Sequence, residues 1–208
     1  MTEGKTMGET LARRRPGAET RREQVLAAAA ECFRRRGFHA ASMQEISKTA
    51  GMSVGHIYHY FENKDAIIAA IVAQEFDDLV ALFDSLARER DILGAMVARA
   101  DYGFQQRVEG NKAALFLEIV AQAARNPALA AQLEDNEREL RNRIRTLVVK
   151  GRQDAGAPPI PERQLDAELE IIGALFDGLS IRTIRNPHLD RAAVLDVLRS
   201  AMRTLLHM

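Results

Sequence analysis

Apolar positions in the first third of the chain recur at the three- and four-residue spacing of helices, broken by short polar stretches. Val25, Leu26, Ala29, Ala30 and Phe33 mark one face of a first helix. Thr20 and Glu23 have the spacing of a capping box at its start. The stretch "RRRG" gives it cations for a last turn and Gly37 as terminator. Phe38 follows as an anchor into whatever this helix packs against. A second capping box, Ser42 with Glu45, opens a short helix over 43–50 that Gly51 ends. Ser53 is placed to cap a third short helix over about 54–60. Two short helices joined through a glycine-containing turn are the sequence form of a helix-turn-helix.

Asn63 then caps a long amphipathic helix with Ile67, Ile68, Ile71, Val72, Phe76, Leu79 and Phe83 at helical spacing. Further helices are expected at roughly 91–109, 111–125, 127–153, 161–185 and 190–206. They are separated by Gly110 with Asn111, Asn126 with Pro127, "DAGAPPIP", and Asn186 with Pro187. No strand pattern or internal repeat stands out. The expected fold class is all-α, with a three-helix head followed by a bundle of about six helices. The breaks suggest a flexible basic arm over 1–18, a helix-turn-helix unit over 19–65 and a helical bundle over 66–208.

Composition narrows the class without changing it. The 208 residues are 47% hydrophobic and 28% charged, with no Trp, as in globular proteins rather than disordered or collagen-like chains. No apolar run reaches the ~18 residues of a membrane span, and the amino terminus lacks the apolar core of a signal peptide, so a cytoplasmic protein is expected. The single Cys32 has no partner for an internal disulfide and reads as an inert buried thiol. Net charge is zero but uneven: residues 1–64 carry 11 Lys and Arg against 7 Asp and Glu, and the remainder 18 against 22. A basic first third on an acidic remainder suits a nucleic-acid-binding head on a different kind of body. "RRRPG" at 13–17 reads as a solvated charge run, with phosphate or minor-groove contact as the sharper alternative.

The stretch "GMSVGHIYHYFENKD" carries the most chemistry. His56 and His59 share a helix face, but Glu62 falls at a helix end, no acidic base lies between the histidines and no Cys is near, which argues against a metal site. At 100° per residue Ile57 and Phe61 form the core side with Val54 near its edge, and Gly55, Tyr58 and His59 project the other way. Gly55 lets a backbone come close, and Tyr58, His59 and Tyr60 can donate to phosphates from a helix that fits a major groove.

The stretch "TRREQVLAAAAECFRRRGFHAASMQEISKTAGMSVGHIYHYFENKDAII" resembles the DNA-binding domain of the TetR family of bacterial transcriptional regulators. The resemblance covers about residues 20–68, including Phe33, Gly37 and Phe38, the turn at Ala50 and Gly51, and the signature "G-x-I-Y-x-Y-F-x-N-K". From "FLEIVAQAARNP" to "ALFDGLSIRTIRNP" the chain is similar to the carboxyl-terminal domains of betaine-responsive members. The resemblance implies phosphate contacts from Ser42, Ser53, His56, Tyr58, Tyr60 and Lys64, and base reading from Gln44, Val54, Gly55 and Tyr58. Val54 and His56 stand where many relatives carry Ser, Thr or Lys, so no relative's half-site can be copied.

The family further implies a homodimer on a palindromic DNA operator, released by a small-molecule effector. Small and apolar residues of the last two helices, Ile171, Ala174, Leu175, Gly178 and Leu179 with Val194, Val197, Leu198 and Ala201, are expected to form the dimer interface. Phe76, Leu79, Phe83, Met96, Phe104, Phe116 and Phe176 are expected to line an apolar cavity, with Glu118 and Asp177 as its carboxylates. That lining suits an apolar or amphipathic effector. No Ser/His/Asp or Cys/His constellation, phosphate loop or rigid carboxylate pair argues for an enzyme, and no cofactor or metal is implied. The alternative is an architectural protein that bends DNA without sequence preference.

Overall fold

The computed structural model describes residues 18–108 and 112–208, so the amino-terminal arm and the expected break at Gly110 and Asn111 lie outside the described residues. Helix α1 spans Ala18–Ala40, with Gly37 held at φ 78°, ψ 160°. Glycine adopts that conformation without a Cβ penalty, and the last residues before Ser42 form a separate turn after it. Thr20 already lies within this helix, so Thr20 and Glu23 are not its capping box.

Helix α2 is Met43–Ala50: Ser42 Oγ accepts from the Glu45 N–H at 3.1 Å, and Gly51 at φ 63° ends it. The Glu45 carboxylate is engaged by Arg36 Nε at 2.7 Å, which pins α2 to the end of α1. Helix α3, Val54–Tyr58, is capped by Ser53 and is shorter than expected, leaving His59 and Tyr60 in the turn before Phe61. Asn63 Oδ1 accepts from the Ala66 N–H at 2.8 Å and opens α4, Lys64–Leu86.

The helix expected over 91–109 is two helices, α5 (Ile92–Ala98) and α6 (Ala100–Val108), meeting at Arg99. Arg99 leaves the helical region while its guanidinium donates to Ser85 Oγ at 2.9 Å and Glu89 Oε1 at 2.6 Å. Helices α7 (Lys112–Ala123), α8 (Pro127–Asp154), α9 (Glu162–Arg185) and α10 (Arg191–Leu205) fall within two residues of their expected bounds. Among the described residues there is no strand, and no helix is long and apolar enough to cross a membrane.

Two apolar cores result. The first joins Val25, Phe33, Phe38, Ile46, Ile57 and Phe61 of the head to Ile67, Ile68, Ile71 and Val72 of α4, and also takes in Leu115, Ile119 and Leu129. The second gathers Leu86, Ile92, Val97, Leu147, Val148, Leu165, Leu198 and Leu206. Helix α4 therefore belongs to both. Each fully buried aliphatic side chain in these cores contributes ~1.5–3 kcal/mol relative to exposure. Cys32 is buried, with Sγ 3.4 Å from Thr49 Oγ1. Buried Arg152 has no carboxylate among its described contacts; its guanidinium donates to the carbonyls of Pro158, Leu206 and His207 and ties the end of α8 to the end of α10.

Candidate nucleic-acid interface

Ile46 of α2 and Ile57 of α3 are wholly buried, which fixes the rotation of both short helices. Ser42, Gln44, Ser53, Gly55, His56, Tyr58 and His59 are consequently exposed, with Val54 and Tyr60 half-buried at the edge. Tyr58 is 51% exposed, a high figure for an aromatic ring that has an apolar core one residue away. The His56 ring stacks on Tyr60 at 5.5 Å and 20°, and His59 meets the same ring edge-on at 5.3 Å. These three rings form a continuous aromatic patch whose polar atoms have no hydrogen-bond partner among the described residues. A Cβ added at Gly55 would meet nothing within 4 Å. Among the described residues, no group of three or more His, Cys, Asp or Glu could hold a metal.

Two other side chains set this face. Gln24 Nε2 donates to the Ala50 carbonyl at 2.7 Å and closes the end of α2. Arg22 lies over the Phe61 ring at 5.3 Å. Both come from the polar side of α1, where periodicity gives no hint of a partner. Lys64 opens α4, where its motif places it, and is held within the protein: its ammonium donates to the carbonyls of Phe38 at 2.7 Å, His39 at 3.2 Å and Ala41 at 2.7 Å, and sits 4.8 Å from the Phe38 ring centroid. All three of its protons are directed at backbone oxygens rather than outward.

Residues 25–71 match the family described as bacterial regulatory proteins, tetR family, and residues 101–207 match the carboxyl-terminal domain of BetI-type transcriptional repressors. This chain belongs to the TetR family. Among curated TetR-type relatives, it is 35% identical over 122 residues to the HTH-type transcriptional regulator UidR of Escherichia coli, covering 57% of this chain and 59% of UidR. It thus spans less than two thirds of that relative. It is 26% identical over 188 residues to the HTH-type transcriptional repressor Rv1474c of Mycobacterium tuberculosis, covering 88% of this chain and 93% of the repressor. A solved structure of the transcriptional regulator FadR from Bacillus subtilis in complex with stearoyl-CoA superposes with a TM-score of 0.70 at 19% identity, over 88% of this chain and 97% of that one. The family is one of transcription regulators, not enzymes.

The carboxyl-terminal half of this TetR-family chain differs from the sequence-based expectation at particular residues. Met96 and Phe104 are buried, Phe83 and Phe176 pack against the second core, and Phe76, Leu79, Phe116 and Asp177 are half-buried. A Cβ at Gly103 would lie 3.0 Å from Phe176 Cε1, so α9 presses on α6 at that point. Glu118 does not line the bundle interior: its Oε2 accepts from the Phe38 N–H at 2.9 Å. Leu115 and Ile119 are buried in the head's core, and Glu118 shares their helix face, so it is carried to the head with them.

On the outer face of α9 and α10, Ile171 (52%), Leu175 and Val197 (69%) are exposed, Ala174 is exposed, and Gly178, Leu179, Val194 and Ala201 are half-buried. Leu198 is 4% exposed and points the other way, into the second core with Met202 and Leu206 at four-residue intervals. It is therefore a core residue of its own bundle, not a candidate for an interface. Ile181 and Ile184 are also exposed, further along α9 and turned away from the face of Ile171 and Leu175.

Proposed function

We propose that the protein is a cytoplasmic repressor that binds a palindromic operator as a homodimer and is released by an apolar or amphipathic small molecule. The observation that carries this reading is the exposed face of α2 and α3, with Gln44, Gly55, Tyr58 and the histidines turned outward by the burial of Ile46 and Ile57. In the proposed complex Gln44, Val54, Gly55 and Tyr58 read base edges, and Ser42, Ser53, His56, Tyr58, His59 and Tyr60 face the phosphates. Lys64 acts behind them by holding the loop that leads to Ser42. One such short helix covers too few bases for useful selectivity, and the apolar stripe on α9 and α10 supports a second copy across a two-fold axis. Residues 19–65 would be the reading head and 66–208 the effector and dimerisation unit, where half-buried Phe76, Leu79 and Phe116 suit an apolar ligand tail.

Selection from a pool of random duplexes tests the DNA reading. Enrichment of a two-fold-symmetric sequence is the expected result, and Gln44→Ala should relax preference at one base pair by ~1–3 kcal/mol. A pool that stays random once salt is raised would point instead to an architectural protein. Release from the selected operator by fatty acids, acyl thioesters, neutral phenolics or lipophilic cations would then identify the effector class. By reciprocity, operator should weaken that effector by the same factor.

A further inference from the structure

We infer that Glu118 is a positioning residue for DNA reading, the point at which the regulatory half grips the head. The inference rests on the reading of the chain as a DNA-binding regulator. Glu118 lies on α7, within the matched carboxyl-terminal segment, yet its carboxylate reaches the backbone of α1's end. Gly37 makes the approach possible: a Cβ there would be 3.3 and 3.4 Å from the two Glu118 oxygens, and the residue's φ of 78° is one that side chains disfavour. Phe38 is thereby held at both of its backbone polar groups, its N–H by Glu118 and its carbonyl by Lys64. Four residues later Ser42 caps α2, the first helix of the reading face.

The contact is part of a stripe. Leu115, Glu118, Ile119 and Gln122 recur at the spacing of one helix face. Leu115 and Ile119 are buried in the head's core, and Gln122 Nε2 donates to Asp65 Oδ1 at 3.2 Å in the first turn of α4. Asn126 Nδ2 joins at the same oxygen at 3.0 Å. Any displacement of α7 in the regulatory half is therefore delivered to residues 37–42 directly, alongside whatever α4 transmits. Within the stripe, Glu118 is the residue that turns this shared packing into a fixed position for the start of α2, because a charge-assisted hydrogen bond has a direction and apolar contact does not.

Hydrogen exchange read by mass spectrometry on the full chain, with and without the selected operator duplex, tests the inference. In the unaltered protein operator should slow exchange across 42–60 and also across 112–123. In Glu118→Ala the Phe38 amide should exchange ~10–100-fold faster and the operator response of 112–123 should vanish. Glu118→Gln keeps an oxygen acceptor and should restore that response. If Glu118→Ala fails to fold, Glu118→Asp, whose carboxylate is withdrawn by one methylene, serves as the breaking variant. A response confined to the head in the unaltered protein, or one that persists across 112–123 when the contact is broken, overturns the inference. Should selection yield no preferred duplex, random duplex at low salt replaces operator in the same measurement, so the two readings fail separately.

Discussion

Lys64→Ala separates two roles for one ammonium group. The side chain donates to three carbonyls, those of Phe38 and Ala41 at 2.7 Å in partly buried surroundings and that of His39 at 3.2 Å in an exposed one. Water replaces the exposed contact at little cost. The other two are charge-assisted hydrogen bonds, and losing both while their acceptors stay partly buried should cost about 2–3 kcal/mol after partial rehydration. The cation above the Phe38 ring lies within that figure, since it adds only ~0.5–1 kcal/mol at a partly exposed site. For a chain of this size, about 2–4 °C is lost per kcal/mol, so the melting temperature should fall by about 4–12 °C at fixed protein concentration. Calorimetry measures that fall, and operator binding across a salt series measures the rival role, in which the ammonium neutralises a phosphate and its loss flattens the salt slope by ~1 unit. A variant that melts like the parent but shows the flatter slope would refute the carbonyl-holding role.

Two further substitutions probe the regulatory half. Leu175→Arg places a charge in the exposed apolar stripe of α9 and should give a folded monomer with much weaker operator binding; light scattering that still finds a dimer would put the interface elsewhere. Arg152→Met should lower stability in urea by about 2–3 kcal/mol, because the buried contact to the Leu206 carbonyl and the partly buried one to Pro158 lose their donor, and a loss under ~1 kcal/mol would mean that water takes its place.

The helix boundaries were legible because this chain writes them in local chemistry: Ser42, Ser53 and Asn63 cap as their positions suggest, and Gly37 and Gly51 end helices in the left-handed region. The break at Arg99 was not, because it coincides with a tertiary contact to Ser85 and Glu89 that no local signal encodes. Faces were legible too, but not what each face meets. Helix α10 has two adjacent apolar rows, and only packing shows that Leu198, Met202 and Leu206 turn inward while Val197 turns out. Glu118 failed for the same reason: periodicity put it beside Ile119, and the partner of that face proved to be the head rather than the bundle interior. Lys64 shows the limit of a motif, which gives a residue type and a place but not which acceptors the side chain reaches.

Gly55 has one consequence for how such a protein can change. The residue is the second of five in a short helix, where glycine is less favourable than alanine, and no neighbouring atom within 4 Å would obstruct a side chain. Internal packing therefore does not require glycine there. In the proposed complex, the close approach of α3 to DNA is what would favour it. Freed from selection for DNA binding, a mutating population should replace Gly55 early and gain stability from it. Under selection for a new operator, the same position is where a side chain can be added without disturbing the protein's own packing, so altered specificity has an evolutionary route open there that the buried neighbour Ile57 does not offer.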